Sequence, residues 1–558
     1  MSLPALAGFL LLICVACFAQ PVAEVESRKL LAELLPQVDP ELRVAALKRI
    51  DASGDQRFVA PLSDVLRFLQ TRDEVLLTAR TALKLAGVQL APEDDLWETL
   101  IRWVGVHSDV PALPGYAAWK GELHAQIIDP RFREFLYEGA HAKARIEEVV
   151  WGGVPVDGIP ALVNPKMLPA GKATYLRDIE PVFGVSINGD DRAYPLRILD
   201  WHEMANDVVG GVPVALAYCT LCGAGILFDA RADGVTYEFG SSGFLMRSNK
   251  LMYDRATRTL WNQLTGEPII GKLAAQPVRL KVLPVVVTSW SEWKKQHPDT
   301  KVLSLDTGHQ RPYEVGATYG RYFAQPNTMF PVWRKSQQLP DKARVYAVQL
   351  DGQAKAYPLD ELNRAGGVAN DTLGGQSLVV IYRDAVGRVP LPEKLKLALN
   401  DRSIKSANDL TLAAARRVLD KDPKLLASFT ANVLLAMPTQ DRLQLLSSRS
   451  TDERTGDKAA PGIFAPSLRN EVAQRGLIGE TRAYLRTDAR GTHQFKAAPA
   501  DRQTVIDANG ATWRMTEEVL LGPAGERLPR LGGHLAYWFG WFSYFPKTEV
   551  FRAAATAR

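Results

Sequence analysis

The chain has 558 residues, more than one hydrophobic core accommodates, so about two to four domains are expected. A composition of 46% hydrophobic and 23% charged residues excludes collagenous and intrinsically disordered chains. The net charge of +5 arises from 67 basic against 62 acidic residues, which leaves no polybasic arm and no reason to propose nucleic acid as a partner.

The first segment, MSLPALAGFLLLICVACFAQ, is apolar from Leu3 to Ala19 and carries no charged side chain. It has the shape of a secretory signal peptide over residues 1–19, with cleavage after Ala19, although the n-region lacks its usual Lys or Arg. Two alternatives remain: a retained anchor, since the run is near the minimum of about 17 residues for a spanning helix, or a lipid site at Cys17. The expectation is an exported chain, periplasmic or extracellular, touching a membrane only if this segment is retained or lipidated.

Residues 26–150 read as amphipathic helices, with apolar positions at three- and four-residue steps and polar breaks at Ser53-Gly54-Asp55 and Thr71-Arg72-Asp73. The spacing suggests a short pair of HEAT-type helical hairpins, either a docking surface for a protein partner or a cap on the rest of the chain. From VVWGGVPVDGIP onward the texture turns to Gly, Pro and short β-branched runs, which predicts strands. The fold class expected is α+β: a helical region followed by two β-rich modules, at 151–335 and 340–558.

The second module echoes the first. Ala193-Tyr194-Pro195-Leu196 returns as Ala356-Tyr357-Pro358-Leu359, Asn206-Asp207 as Asn370-Asp371, Gly210-Gly211 as Gly374-Gly375, and Trp290-x-x-Trp293 as Trp538-x-x-Trp541. Two rows of matches in one order indicate an internal duplication, the second copy interrupted by a helical insertion at about 390–485. Asn206, Asp207, Gly210 and Gly211, present in both copies, are expected to be structural turn-formers. Cys219, Cys222 and His202 have no counterpart in the second copy. Residues confined to one copy are the better candidates for chemistry.

If residues 1–19 are removed, Cys219 and Cys222 are the only cysteines left, and an exported chain with one pair is not a disulfide-built scaffold. A Cys-x-x-Cys-Gly turn presents two sulfurs to one ion, and sulfur with histidine suits copper or zinc. His202 would be the third ligand, with Glu203 or Met252 completing the set. The alternatives are a structural cysteine pair in a scaffold or binding module, and a dithiol that cycles with its disulfide. Ser242, Arg247, Asn249, Tyr253 and Asp254, in GSSGFLMRSNKLMYDR, are candidates for a polar pocket, or for no more than a solvated turn and strand edge. Phosphate-loop, G-x-S-x-G and H-E-x-x-H patterns do not occur at a useful place, so common hydrolase chemistry is not expected.

The stretches DGIPALVNP, AYPLRILDWHEMANDVVGGVPVALAYCTLCGAGILFDA, GSSGFLMRSNKLMYDRATRTLWNQLTGEPIIGKL and HPDTKVLSLDTG closely resemble the DUF3179 family of bacteria and archaea. The resemblance covers roughly 150–325, and KAYPL and LAYWFGWFSYFPKTEVF look like the family's trailing half. It implies an exported or lipid-anchored protein and places His202, Glu203, Cys219, Cys222, Ser242, Asn249, Tyr253 and Asp254 in the family's motifs. It supplies no activity and no substrate. The chain departs from the family at Arg311-Pro312-Tyr313, where Arg-Asp-Tyr is usual.

Overall fold

A computed structural model describes residues 21–92, 94–448, 462–498 and 501–554; the expected signal segment at 1–19 lies outside them. The described chain begins with six helices: α1 (Glu24–Glu33), α2 (Pro40–Ser53), α3 (Val59–Val65), α4 (Arg72–Ala86), α5 (Leu96–Val106) and α6 (Tyr116–Ile127). Their ends follow local chemistry. Asp39 caps α2 by accepting from Glu41 N, with Pro40 in the first turn, and Gly54 ends it at φ 66°. Thr71 and Gly87 do the same for α4. The apolar faces meet around Leu47, Ile50, Phe58, Leu62 and Leu100, and the same cluster takes in Val150, Leu245 and Trp333 from the β-rich part. The helical face is therefore covered by the rest of the chain rather than left to solvent.

The β-rich part begins with β1 (Val149–Trp151), β2 (Leu162–Val163), β3 (Met167–Pro169), β4 (Pro181–Ile187) and β5 (Asp190–Pro195). Helix α7 (Leu196–His202) follows, and then β6 (Met204–Val209), β7 (Val212–Cys219) and β8 (Ala224–Asp229). After the short β9 (Arg231–Ala232) and β10 (Val235–Thr236) come β11 (Phe239–Met246) and β12 (Asn249–Asp254). Strands β4 and β5 form a hairpin flanked by Val286–Ser289 and Lys301–Leu303, the latter parallel to β5. Strands β6, β7 and β8 form a separate antiparallel meander. These sheets meet closely: a Cβ on Gly225 of β8 would stand 2.2 Å from the Phe183 ring of β4, too close for any real contact. Gly225→Ala is expected to cost at least about 1–3 kcal/mol, the usual penalty of overpacking, read as a fall in the urea midpoint.

The same element order occurs later in the chain. A hairpin of Arg344–Leu350 and Gln353–Pro358 leads to helix Leu359–Arg364 and a second hairpin, Val368–Leu373 and Gln376–Arg383. Individual contacts recur with it. Asn206 brackets the Phe239 backbone by accepting from its N–H and donating to its C=O, and Asn370 brackets Phe495 in the same way. The Trp293 indole donates to Thr300 and the Trp541 indole to Thr548.

Asn206 and Asp207 are strand residues of β6, not turn residues, which corrects the expectation for both. Their side chains tie strands together because polar groups this buried must find partners within the protein. Gly210 and Gly211 form the two-residue β6–β7 turn at φ 54° and 79°. The helical excursion ends with Pro466–Arg475, and Glu480–Leu485 already pairs with Gln376–Arg383, so it closes before 480 rather than near 485.

Candidate functional site

Strand β7 delivers Cys219, Thr220 and Leu221 turn the chain, and Cys222 leads back into β8, with Cys219 facing Ala224 across the ladder. The two cysteines form a disulfide, their Cα atoms 5.3 Å apart. Both are buried, Cys219 at 2% and Cys222 at 0% exposure. Gly540 of helix Trp538–Tyr544 lies on the loop, and a Cβ there would stand 3.2 Å from Cys222 Cβ. The Tyr537 N–H donates to the Cys222 carbonyl at 2.6 Å. Cys222 Sγ lies 3.1 Å from the Ser248 carbonyl, the acceptor its proton would take in the reduced state.

Beneath the loop is a charged floor. The Thr220 hydroxyl, between the cysteines, donates to Glu203 Oε1 at 2.8 Å, and Lys250 Nζ stands 3.2 Å from Glu203 Oε2. Lys250 also donates to the Glu203 carbonyl. Burial pulls the Lys250 ammonium below the ordinary lysine range, and the Glu203 carboxylate opposes that shift. Asp200 lies close by, pushed well above the usual carboxylate range by burial and then by the Glu203 charge.

Three residues around the loop are in the left-handed region without being glycine: Glu203 at φ 52°, Arg247 at 46° and Ser248 at 65°. Arg247 and Ser248 occupy the β11–β12 turn, where Asn-Gly is the unstrained choice. Strain of this kind costs about 1–3 kcal/mol per residue and collects at working parts of proteins.

The expected three-ligand metal site is not assembled, and the donor set does not suit copper or zinc. The sulfurs are bonded to each other. Both ring nitrogens of His202 are engaged, Nδ1 at 2.8 Å from the Pro160 carbonyl and Nε2 at 2.6 Å from the Tyr313 hydroxyl. Burial holds the ring neutral by lowering its pKa to about 4. Glu203, which ends α7 in the left-handed conformation, serves Thr220 and Lys250. Met252 belongs to the apolar cluster that holds Phe239, Trp261 and both cysteines, and packs there as a core side chain. Among the described residues, no group of three or more His, Cys, Asp and Glu side chains is placed to hold a metal ion.

The five residues expected to share a pocket are dispersed. Ser242 donates to the Leu251 carbonyl beside a bulge, Tyr253 donates to Asp157, and Asp254 holds a turn through Thr257 and the Trp261 indole. Arg247 pairs with Glu148, and Asn249 is buried with neither amide atom bonded among the described residues. Two members of the charged floor were not among the candidates read from the sequence. Lys250 had no signal: β12 is buried on both faces and its polar residues Asn249, Lys250 and Asp254 fall on both, so alternation along the strand does not single it out. Thr220 had none either, while Tyr313 stands in the Arg311-Pro312-Tyr313 segment compared with the family's Arg-Asp-Tyr.

A family model described as a protein of unknown function, DUF3179, matches residues 156–548. The chain belongs to the DUF3179 family. The DUF3179 region contains the cysteine loop, its charged floor and both hairpin–helix–hairpin blocks, while helices α1–α6 precede it. No curated protein and no solved structure matches the chain.

Proposed function

We propose that this DUF3179 protein is an exported redox protein in which Cys219 and Cys222 cycle between disulfide and dithiol. The observation that carries the reading is the Glu203–Lys250 pair beneath Thr220. A buried ion pair contributes little stability over an apolar replacement, so a static staple gives no reason for one. A dithiol does, because its thiolate and exchanged protons need a charged and protonatable neighbourhood. The non-glycine left-handed residues around the loop support the same reading.

In the proposed step a thiolate of a partner dithiol attacks one sulfur of the pair. A mixed disulfide forms, and the displaced sulfur leaves as a thiolate and takes up a proton. The partner's second thiolate then releases the protein, so two electrons and two protons reach Cys219 and Cys222 while the partner becomes a disulfide. Ser248 C=O accepts from the Cys222 thiol, and Lys250 favours the thiolate. With both sulfurs buried, entry requires the loop to part from Gly540.

The recurrence of contacts between Asn206–Phe239 and Asn370–Phe495 supports an internal duplication underlying the two blocks. In that reading the chemistry belongs to one copy: Arg383 faces Glu480 where Cys219 faces Ala224, and that strand pair forms across the helical excursion without a disulfide. The N-terminal helices fit a HEAT-type cap rather than a docking surface, since their apolar face is occupied by Val150, Leu245 and Trp333.

The burial of both sulfurs favours a second reading, a scaffold stapled at this loop. The test equilibrates the native full chain in thiol–disulfide buffers and counts alkylatable thiols. Two thiols appearing at a potential above about −300 mV support the redox reading. If thiols appear only below that value, or only in denaturant, the staple reading prevails. Cys219→Ser/Cys222→Ser would then only lower stability, by about 2 kcal/mol for so short a loop.

A further inference from the structure

Two of the arginines buried in this protein are matched to carboxylates. Arg43 meets Glu74 at 2.6 Å, and Arg482 lies between Glu480 and Glu517. The buried Arg486 is not, donating instead to the His493 and Asp371 carbonyls, and neither are Arg344 and Arg442. The last two are 5% and 7% exposed, and neither forms an ion pair among the described residues. Arg442 donates through Nη1 to the Leu435 carbonyl, and Arg344 Nε is buried with no partner.

Both line one cleft of about 240 Å³, between helix Leu359–Arg364 and the helices of the excursion. Tyr382 and Thr439 contribute to its wall. Asp360, Asp384 and Asp409 line it too, as do Arg364 and Arg475; the three carboxylates keep their charge but commit oxygens to shaping the backbone, Asp360 accepting from Thr439 N and Oγ1, Asp384 from Gly387 N and Asp409 from Ser406 N.

A guanidinium does not discharge by losing its proton, so burial leaves it charged and in want of a counter-ion. Burial pulls both arginines below the ordinary arginine range; for Arg442 the Asp360 charge opposes that shift and the Arg344 charge adds to it. We propose that the Arg344–Arg442 cleft is a binding site for a small oxyanion, a carboxylate or a phosphate held by the two guanidinium forks. The recognition is planar and bidentate, which a lysine point charge does not reproduce. The volume admits a molecule of a few heavy atoms and excludes a polymer segment. Tyr537, the cross-strand partner of Arg344, donates to the Cys222 carbonyl, so the cleft adjoins the cysteine loop, but anion binding there does not depend on the loop's chemistry.

The experiment titrates the full chain with inorganic phosphate and with succinate, by calorimetry and thermal melting, against sodium chloride at matched ionic strength. Saturable binding and a raised Tm with phosphate, succinate or both, beyond the chloride control, are expected; which anion binds distinguishes phosphate from carboxylate recognition. Arg442→Met should weaken that binding by ~10- to 100-fold, and Arg442→Lys should fall between. In anion-free buffer Arg442→Met should melt no lower than the parent, because it removes a buried charge that lacks a direct ion pair. The proposal is overturned if neither anion binds the parent, if chloride gives the same shift, or if both variants keep the parent affinity. If Arg442→Met does not fold, Arg442→Lys and the parent titrations decide by the same outcomes.

Discussion

Acidification from pH 6.5 to 4 is expected to remove most of the stability of this protein. His124, His202 and His534 are each lowered from 6.5 to about 4, with burial the largest cause in every case. His124 lies among the rings of Phe68, Phe132 and Phe244, and His534 has a buried Nε2 without a partner. Below pH 6.5 the unfolded chain takes up protons that the folded chain refuses. Stability present above pH 6.5 is therefore lost as pH falls through 4. Each histidine contributes about 3 kcal/mol to that loss at pH 4, on the order of 10 kcal/mol together. Ordinary domains have only about 5–15 kcal/mol in all.

Urea midpoints measured across this window check the expectation, and His534→Gln should flatten the slope by about a third. A stability unchanged between pH 7 and pH 4 would contradict it. Glu517, lowered to about 2 beside Arg482 and Arg530, acts in a different window, losing its contribution only as pH falls from 4.5 through 2.

Lys250→Met is expected to destabilise the oxidised protein by roughly 3–5 kcal/mol, because it strands the Glu203 carboxylate in a buried site. The double variant Glu203→Gln/Lys250→Met should recover most of that loss, since removing both charges also removes their desolvation. Denaturant midpoints of the four proteins in this cycle give the coupling directly. In the redox reading, Lys250→Met also shifts the reduction potential of the Cys219–Cys222 pair, since it removes the cation that favours the thiolate. A loss below about 1 kcal/mol would mean that Lys250 reaches water in solution and that the charged floor is not sealed.

The helical start, the strands and the repeated order of elements were legible in the sequence because each rests on short-range pattern. Residue spacing reports which face of a helix or strand is buried, and Gly210-Gly211 or Thr71 with Gly87 announces where an element turns or ends. The DUF3179 motifs were legible for the same reason, as contiguous strings.

Tertiary structure alone decided what those residues face. The left-handed Glu203 ends α7 so that His202 meets Pro160 and Tyr313 instead of the sulfurs, and the cysteines bond to each other. The partner of Glu203 lies 47 residues away and that of Tyr313 lies 111 away. The Arg344–Arg442 cleft joins the start of one strand to a helix of the excursion. Local pattern determines how much of a charged side chain is buried. Which group compensates that charge is set by strands and helices brought together across the chain, and spacing along the sequence carries no record of it.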